Sequence, residues 1–198
     1  MKKITLTLIT AALVAASANA ATGFFGNAYT VANTGTFYQT TGTDDGVNPQ
    51  LTDGFGTLTQ GDTFNIQGFE LNTFEDNSSE ITHMNLFWTV DNFTNTHQVQ
   101  INPAPTKSGN NRFWQIASAT QNLLNNNGVA TLTAGNYTFQ AYFEGYTNGL
   151  DTLGNIFLNN GGANYSASFT VAVPEPGSFA LIAGALGMAW VTLRRRRS

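Results

Sequence analysis

The 198-residue chain has no cysteine and little charge, with eight basic and twelve acidic side chains, 10% of the residues. An average soluble domain carries about 25% charged residues. Without cysteine there is no disulfide framework, thiolate zinc site, iron–sulfur ligation or cysteine nucleophile. Scarce lysine and arginine remove the positive footprint of nucleic-acid binding, so no nucleic-acid partner is expected. The two histidines, His83 and His97, fall in separate segments and form no HExxH-type metal motif. A G-x-S-x-G elbow, a dinucleotide fingerprint and a phosphate-binding loop are also missing. No period of 20–50 residues recurs, which argues against a solenoid or propeller.

Topogenic signals occupy the two ends. Residues 1–20 read as a secretory signal peptide: Lys2 and Lys3, then an apolar run over residues 4–16, then Ala18-Asn19-Ala20. The small-x-small pattern at Ala18 and Ala20 places a signal-peptidase cut before Ala21. This expectation makes the Sec machinery and signal peptidase the first partners of the chain. At the other end, Pro174-Glu175-Pro176 precedes an uncharged stretch over residues 178–193 and then Arg194-Arg195-Arg196-Arg197. At about 1.5 Å per residue, that stretch makes a transmembrane helix slightly short of a ~30 Å hydrocarbon core, and arginine side chains can snorkel to cover the difference. The arginine cluster holds its end in the cytoplasm and puts residues 21–173 on the far side of the inner membrane.

This tripartite ending resembles the PEP-CTERM sorting signal of Gram-negative bacteria. The resemblance covers residues 173–198 and nothing before them. It implies recognition of Pro174, Glu175 and Pro176 by an exosortase-type membrane protease, which releases the body or transfers it to the cell surface. It also implies a link to exopolysaccharide or biofilm. Residues 174–198 are thus a sorting segment, and residues 21–173 an exported body that begins as an inner-membrane intermediate. Two prolines without N–H groups suit an exposed, extended recognition segment.

Between its ends the chain carries two basic residues, Lys107 and Arg112, against eleven acidic ones. Apolar residues alternate with polar ones at 137–144, 84–90 and 165–173, the period-2 signature of half-buried strands. Further strands are expected near 24–31, 36–41, 97–102 and 112–117. Over 63–72 the apolar phase switches at Gly68, which predicts a β-bulge. A short helix is predicted at 119–126, with Ser118 as N-cap and Gly128 beyond its end. Leu132-Thr133-Ala134-Gly135-Asn136-Tyr137 has the form of a tyrosine corner, in which the phenol bonds to upstream backbone. The fold expected is all-β: an antiparallel β-sandwich of seven to nine strands, immunoglobulin-like or jelly-roll-like, plus the C-terminal transmembrane helix.

Three sets of residues in the body are candidates for chemistry. Asp44, Asp45, Asn48 and Asp53 gather in one polar stretch that could offer calcium its oxygen ligands, although EF-hand spacing is absent; Glu75, Asp76, Asn77 and Glu80 form a second such stretch. Trp88 and Trp114 belong to core phases, whereas Phe87, Tyr142 and Tyr146 lie on polar phases or near loops, where rings can stack on sugars. Glu70, Glu80 and Glu144 are the carboxylates to watch for glycoside hydrolysis, with Glu144 expected on a solvated strand face. The chain therefore reads as a non-enzymatic, exported surface or matrix protein with a structural or adhesive role. The alternative is a lectin-like carbohydrate-binding module, with calcium as an optional aid and exopolysaccharide as its partner. Behind these stand a surface glycoside hydrolase and an ice-binding protein; this type of C-terminal segment also occurs on some ice-binding proteins, but a regular Thr-x-Thr ladder is missing.

Overall fold

Alternating apolar residues fold back on one another into two packed sheets. The computed structural model describes residues 22–33, 35–75, 80–91, 96–102, 104–148 and 154–174, with the helical positions Gly184, Leu186, Met188 and Trp190. Ten strands run in chain order: β1 (Gly23–Ala32), β2 (Thr36–Thr41), β3 (Gly56–Thr59), β4 (Asn65–Phe74), β5 (Ile81–Val90), β6 (His97–Ile101), β7 (Asn111–Asn122), β8 (Gly135–Thr147), β9 (Ile156–Leu158) and β10 (Tyr165–Ala172). A four-stranded sheet has the order β2-β1-β4-β7, and a six-stranded sheet the order β3-β10-β8-β5-β6, with β9 also paired to β8. All pairings between these strands are antiparallel except β3 with β10, which is parallel. The all-β expectation therefore holds, with one parallel edge that alternation within a strand cannot encode. Strands β3 and β9, four and three residues long, raise the number of strands to ten.

The inner phases of the two sheets meet as the alternation requires. Phe69 of β4 packs edge-on against Phe143 of β8 at 5.8 Å. Trp88 and Trp114 are buried, as their phases predict. Each finds a partner for its N–H: Trp88 Nε1 donates to Gln121 Oε1 at 2.7 Å, and Trp114 Nε1 to Thr73 Oγ1 at 2.8 Å, so the indoles are buried without an orphan donor. Phe55 is an aromatic hub, with Tyr38, Phe64, Phe139 and Phe169 at ring separations of 5.0–6.2 Å. Every residue of the buried apolar cluster lies between Ala28 and Val171. The body therefore carries its own core.

Three local expectations meet the structure at named residues. At Gly68 the register shifts against both β1 and β7, so the bulge is present. Its φ is +152°, and a Cβ there would stand 2.0 Å from the Ile116 carbonyl oxygen, a fit only glycine makes. The tyrosine corner forms too: Tyr137 OH donates to the Thr133 carbonyl at 3.0 Å. The predicted helix at 119–126 is corrected. Strand β7 continues through Asn122, where the Asn122 side chain accepts from Leu124 N and caps a short 3-10 turn at Leu123–Gly128. Pairing of Asn65 and Ile66 with Asn122 and Gln121 holds that stretch extended, because a tertiary ladder overrides a weak local preference.

Several expectations fall beyond the described residues. These are the signal peptide at 1–20 with its cleavage residues Ala18, Ala20 and Ala21, the motif residues Glu175 and Pro176, and the cluster Arg194, Arg195, Arg196 and Arg197. Pro174 is described, two residues past the end of β10. Within 178–193 only Gly184, Leu186, Met188 and Trp190 are described, all helical, and the last three are exposed. Among the described residues, no helix is long and apolar enough to cross a membrane.

Candidate functional site

Strands β5 and β8 turn their core phases inward, so the opposite phases stand together on the outer face of the larger sheet. Cross-strand register sets His83 opposite Tyr146, Asn85 opposite Glu144, and Phe87 opposite Tyr142. Side chains directly across an antiparallel pair lie close enough to interact, and here they stack. Phe87 and Tyr142 are 5.0 Å apart with planes 20° from parallel, and His83 and Tyr146 are 4.2 Å apart at 16°. The three candidate stacking rings, Phe87, Tyr142 and Tyr146, thus share one face, joined by His83.

Between the two ring pairs lie Asn85, which is 1% exposed, and Glu144, which is 8% exposed. The expectation of a solvated Glu144 is corrected: the flanking rings and β9 cover it. Asn155 Nδ2 donates to Glu144 Oε1 at 2.7 Å, and Gln98 Nε2 donates to Asn85 Oδ1 at 2.7 Å. Burial, and then the Glu144 carboxylate, raise both the Tyr142 and the Tyr146 phenols above the ordinary tyrosine value. Phe157 of β9, paired with Glu144, is 52% exposed at the margin. The same outer face continues towards β3 as a polar cleft of about 530 Å³, lined by Asp53, Thr57, Asn136, Thr138, Ser168 and Thr170 among others. Rings, amides and hydroxyls therefore dominate a face that has no lysine or arginine, His83 being its one imidazole.

The calcium candidates divide. Asp45 Oδ1 accepts from Val47 N and Asn48 N, and Oδ2 accepts from Asn48 Nδ2 and Tyr29 OH. These bonds, those from Asn48 first, hold the Asp45 carboxyl well below the usual carboxylate range. Asp44 Oδ1 accepts from Gly46 N and Gln50 Nε2. Asp53 lies apart, its Oδ2 accepting from Gln50 N, and it lines the cleft described above. These oxygens thus fold the loop. No group of three or more metal-ligating side chains occurs among the described residues.

The second acidic stretch holds the body's two cations. Glu75, with its side chain fully buried, bonds Arg112 Nε at 2.8 Å and Lys107 Nζ at 3.0 Å, and Arg112 Nη2 also reaches Glu80. Separations of 32 to 37 residues hide this network from local patterns in the sequence. Asp76 and Asn77 lie outside the described residues. The three carboxylates considered for glycoside hydrolysis do not converge: Glu70 is on β4 with Gln115, Glu80 pairs with Arg112, and Glu144 is on β8. His97 Nε2 bonds Asn126 Oδ1 at 2.8 Å against Trp88 and stays apart from His83.

Sequence reasoning missed His83, Asn85, Gln98, Asn155 and Phe157 as neighbours of the rings. The outward phase of β5 signals the first two, whereas a three-residue strand such as β9 carries no period to read. It also missed Phe25 and Phe113, exposed on either side of Asn72 on the smaller sheet.

No family model, curated protein or solved structure matches this chain. Its functional reading therefore rests on the residues alone.

Proposed function

We propose that residues 21–173 are the exported body of a surface protein that adheres to polysaccharide without altering it. Delivery belongs to the ends: the signal peptide starts export, and the PEP-CTERM-like segment with its transmembrane helix 178–193 awaits an exosortase-type protease. The binding reading rests on one observation, the two stacked ring pairs on the outer face of the larger sheet. A ring stacked on one side keeps its other face and its edge for a ligand. Pyranose rings present apolar C–H faces that suit such surfaces, while buried amides and hydroxyls fix orientation. Gln98, held by Asn85, together with Asn155 and the cleft hydroxyls, supplies those groups. The scattered carboxylates favour adhesion over hydrolysis, and the loop-bound oxygens of Asp44 and Asp45 favour binding that needs no calcium. An immunoglobulin-like or jelly-roll-like sandwich suits the two sheets and the tyrosine corner.

Calorimetry of the body with soluble polysaccharides, with and without a chelator, tests this reading. Removing the Phe87–Tyr142 pair by substitution to alanine is expected to weaken binding at least about tenfold, the equivalent of roughly 1.4 kcal/mol. Failure of the intact body to bind any polysaccharide would overturn it.

A further inference from the structure

We infer that Glu144 makes this face selective for a glycan that carries protonated amines, an amino-sugar polymer of the glucosamine type. The inference rests on the polysaccharide reading and names the class of sugar.

Glu144 is almost entirely covered, and no lysine or arginine stands beside it; the His83 imidazole on the same face lies flat on Tyr146 and bonds Thr82. The only lysine and arginine among the described residues, Lys107 and Arg112, are committed to Glu75 and Glu80. A carboxylate out of water without a counter-charge is costly. The amide of Asn155 and the hydroxyl of Tyr146, both donating to the carboxylate, offset part of that cost, but neither brings a positive charge. A ligand ammonium brings it. Around the carboxylate stand Tyr142 and Tyr146 on its own strand, with Phe87 and His83 stacked on them. Aromatic faces attract cations, most strongly where water is thin. The site thus combines a buried acceptor with a ring frame, a pairing that suits a protonated amine better than a neutral hydroxyl.

The other recess of the face agrees. Asp53 lines the polar cleft near β3, and no cation lies among the cleft residues. A polymer with an amine on every unit could meet both carboxylates along one sheet face. Acidic polysaccharides face the opposite situation: eleven acidic side chains between the two ends, against two basic ones, repel a uronate chain.

The test is calorimetry on the full-length chain in mild detergent, with four oligosaccharides: a β-1,4-linked glucosamine hexamer, its N-acetylated counterpart, a β-1,4-linked glucose hexamer and an oligogalacturonate. The glucosamine hexamer is expected to bind at least about tenfold more tightly than the N-acetylated one. Glu144→Gln is expected to abolish that preference and leave the affinity for the glucose hexamer unchanged. Equal affinity of the unmodified protein for the amine and N-acetyl forms, which needs no variant, would overturn the inference and leave the polysaccharide reading standing. So would a folded Glu144→Gln protein that kept the preference. Absence of binding to all four sugars would overturn both.

Discussion

Glu75 is a fully buried carboxylate held by both cations of the body, and that choice of partners fixes how the protein responds to mutation. Removing one partner of a buried ion pair leaves the other charge stranded, which costs about 3–5 kcal/mol. Arg112→Met should therefore lower stability by about that amount in urea unfolding, whereas Lys107→Met, whose ammonium is partly solvated, should cost about 1 kcal/mol or less. Replacing Glu75 and Arg112 together with apolar residues should be milder than Arg112→Met alone, because no charge is then left unpaired. Comparable losses for the two single variants would show that the network does not carry the energy in this way. None of this is legible in the sequence, where Glu75 looks like one more loop acid beside Asp76 and Asn77. Burial is a property of the long-range fold, and here three strand ends bring the charges together.

At the scale of elements, what the sequence shows and what it hides divide by distance along the chain. Strands β5, β8 and β10 follow from alternation because each residue reports its own face. The tyrosine corner was readable because donor and acceptor are four residues apart. The bulge was readable because Gly68 sits where the apolar phase changes. Strands β3 and β9 were not, being too short to show a period, and the end of β7 was misread because its extended form is imposed by β4. The candidate site splits the same way. Phe87, Tyr142 and Tyr146 stand out as rings on polar phases, but their pairing with each other and with His83 needs the β5–β8 register. Gly68→Ala tests the bulge. The added methyl would meet the Ile116 carbonyl in a backbone conformation that L residues rarely adopt, and the expected loss is roughly 1–3 kcal/mol. An unchanged thermal midpoint would mean that β4 can repack around the extra carbon.

For the whole molecule, the core and the terminal segments are separable. All buried apolar cluster residues lie within 28–171, so deleting residues 174–198 should leave the thermal unfolding of the body unchanged. On the proposed sorting role, the same deletion should redirect the body from the cell envelope to the periplasm or medium, as cell fractionation would reveal. Unchanged delivery and processing would sink that reading without touching the fold. The acidic excess belongs to this scale as well. It keeps the body hydrated and self-repelling, and its two cations are too few and too committed to offset it.

The placement of β10 has a consequence for the order of events during synthesis. That strand sits between β3, its parallel neighbour, and β8, its antiparallel one. A nascent chain halted before Tyr165 has both flanks waiting and nothing to insert between them. Closure of the larger sheet is thus deferred until β10, near the end of the body, has been synthesised.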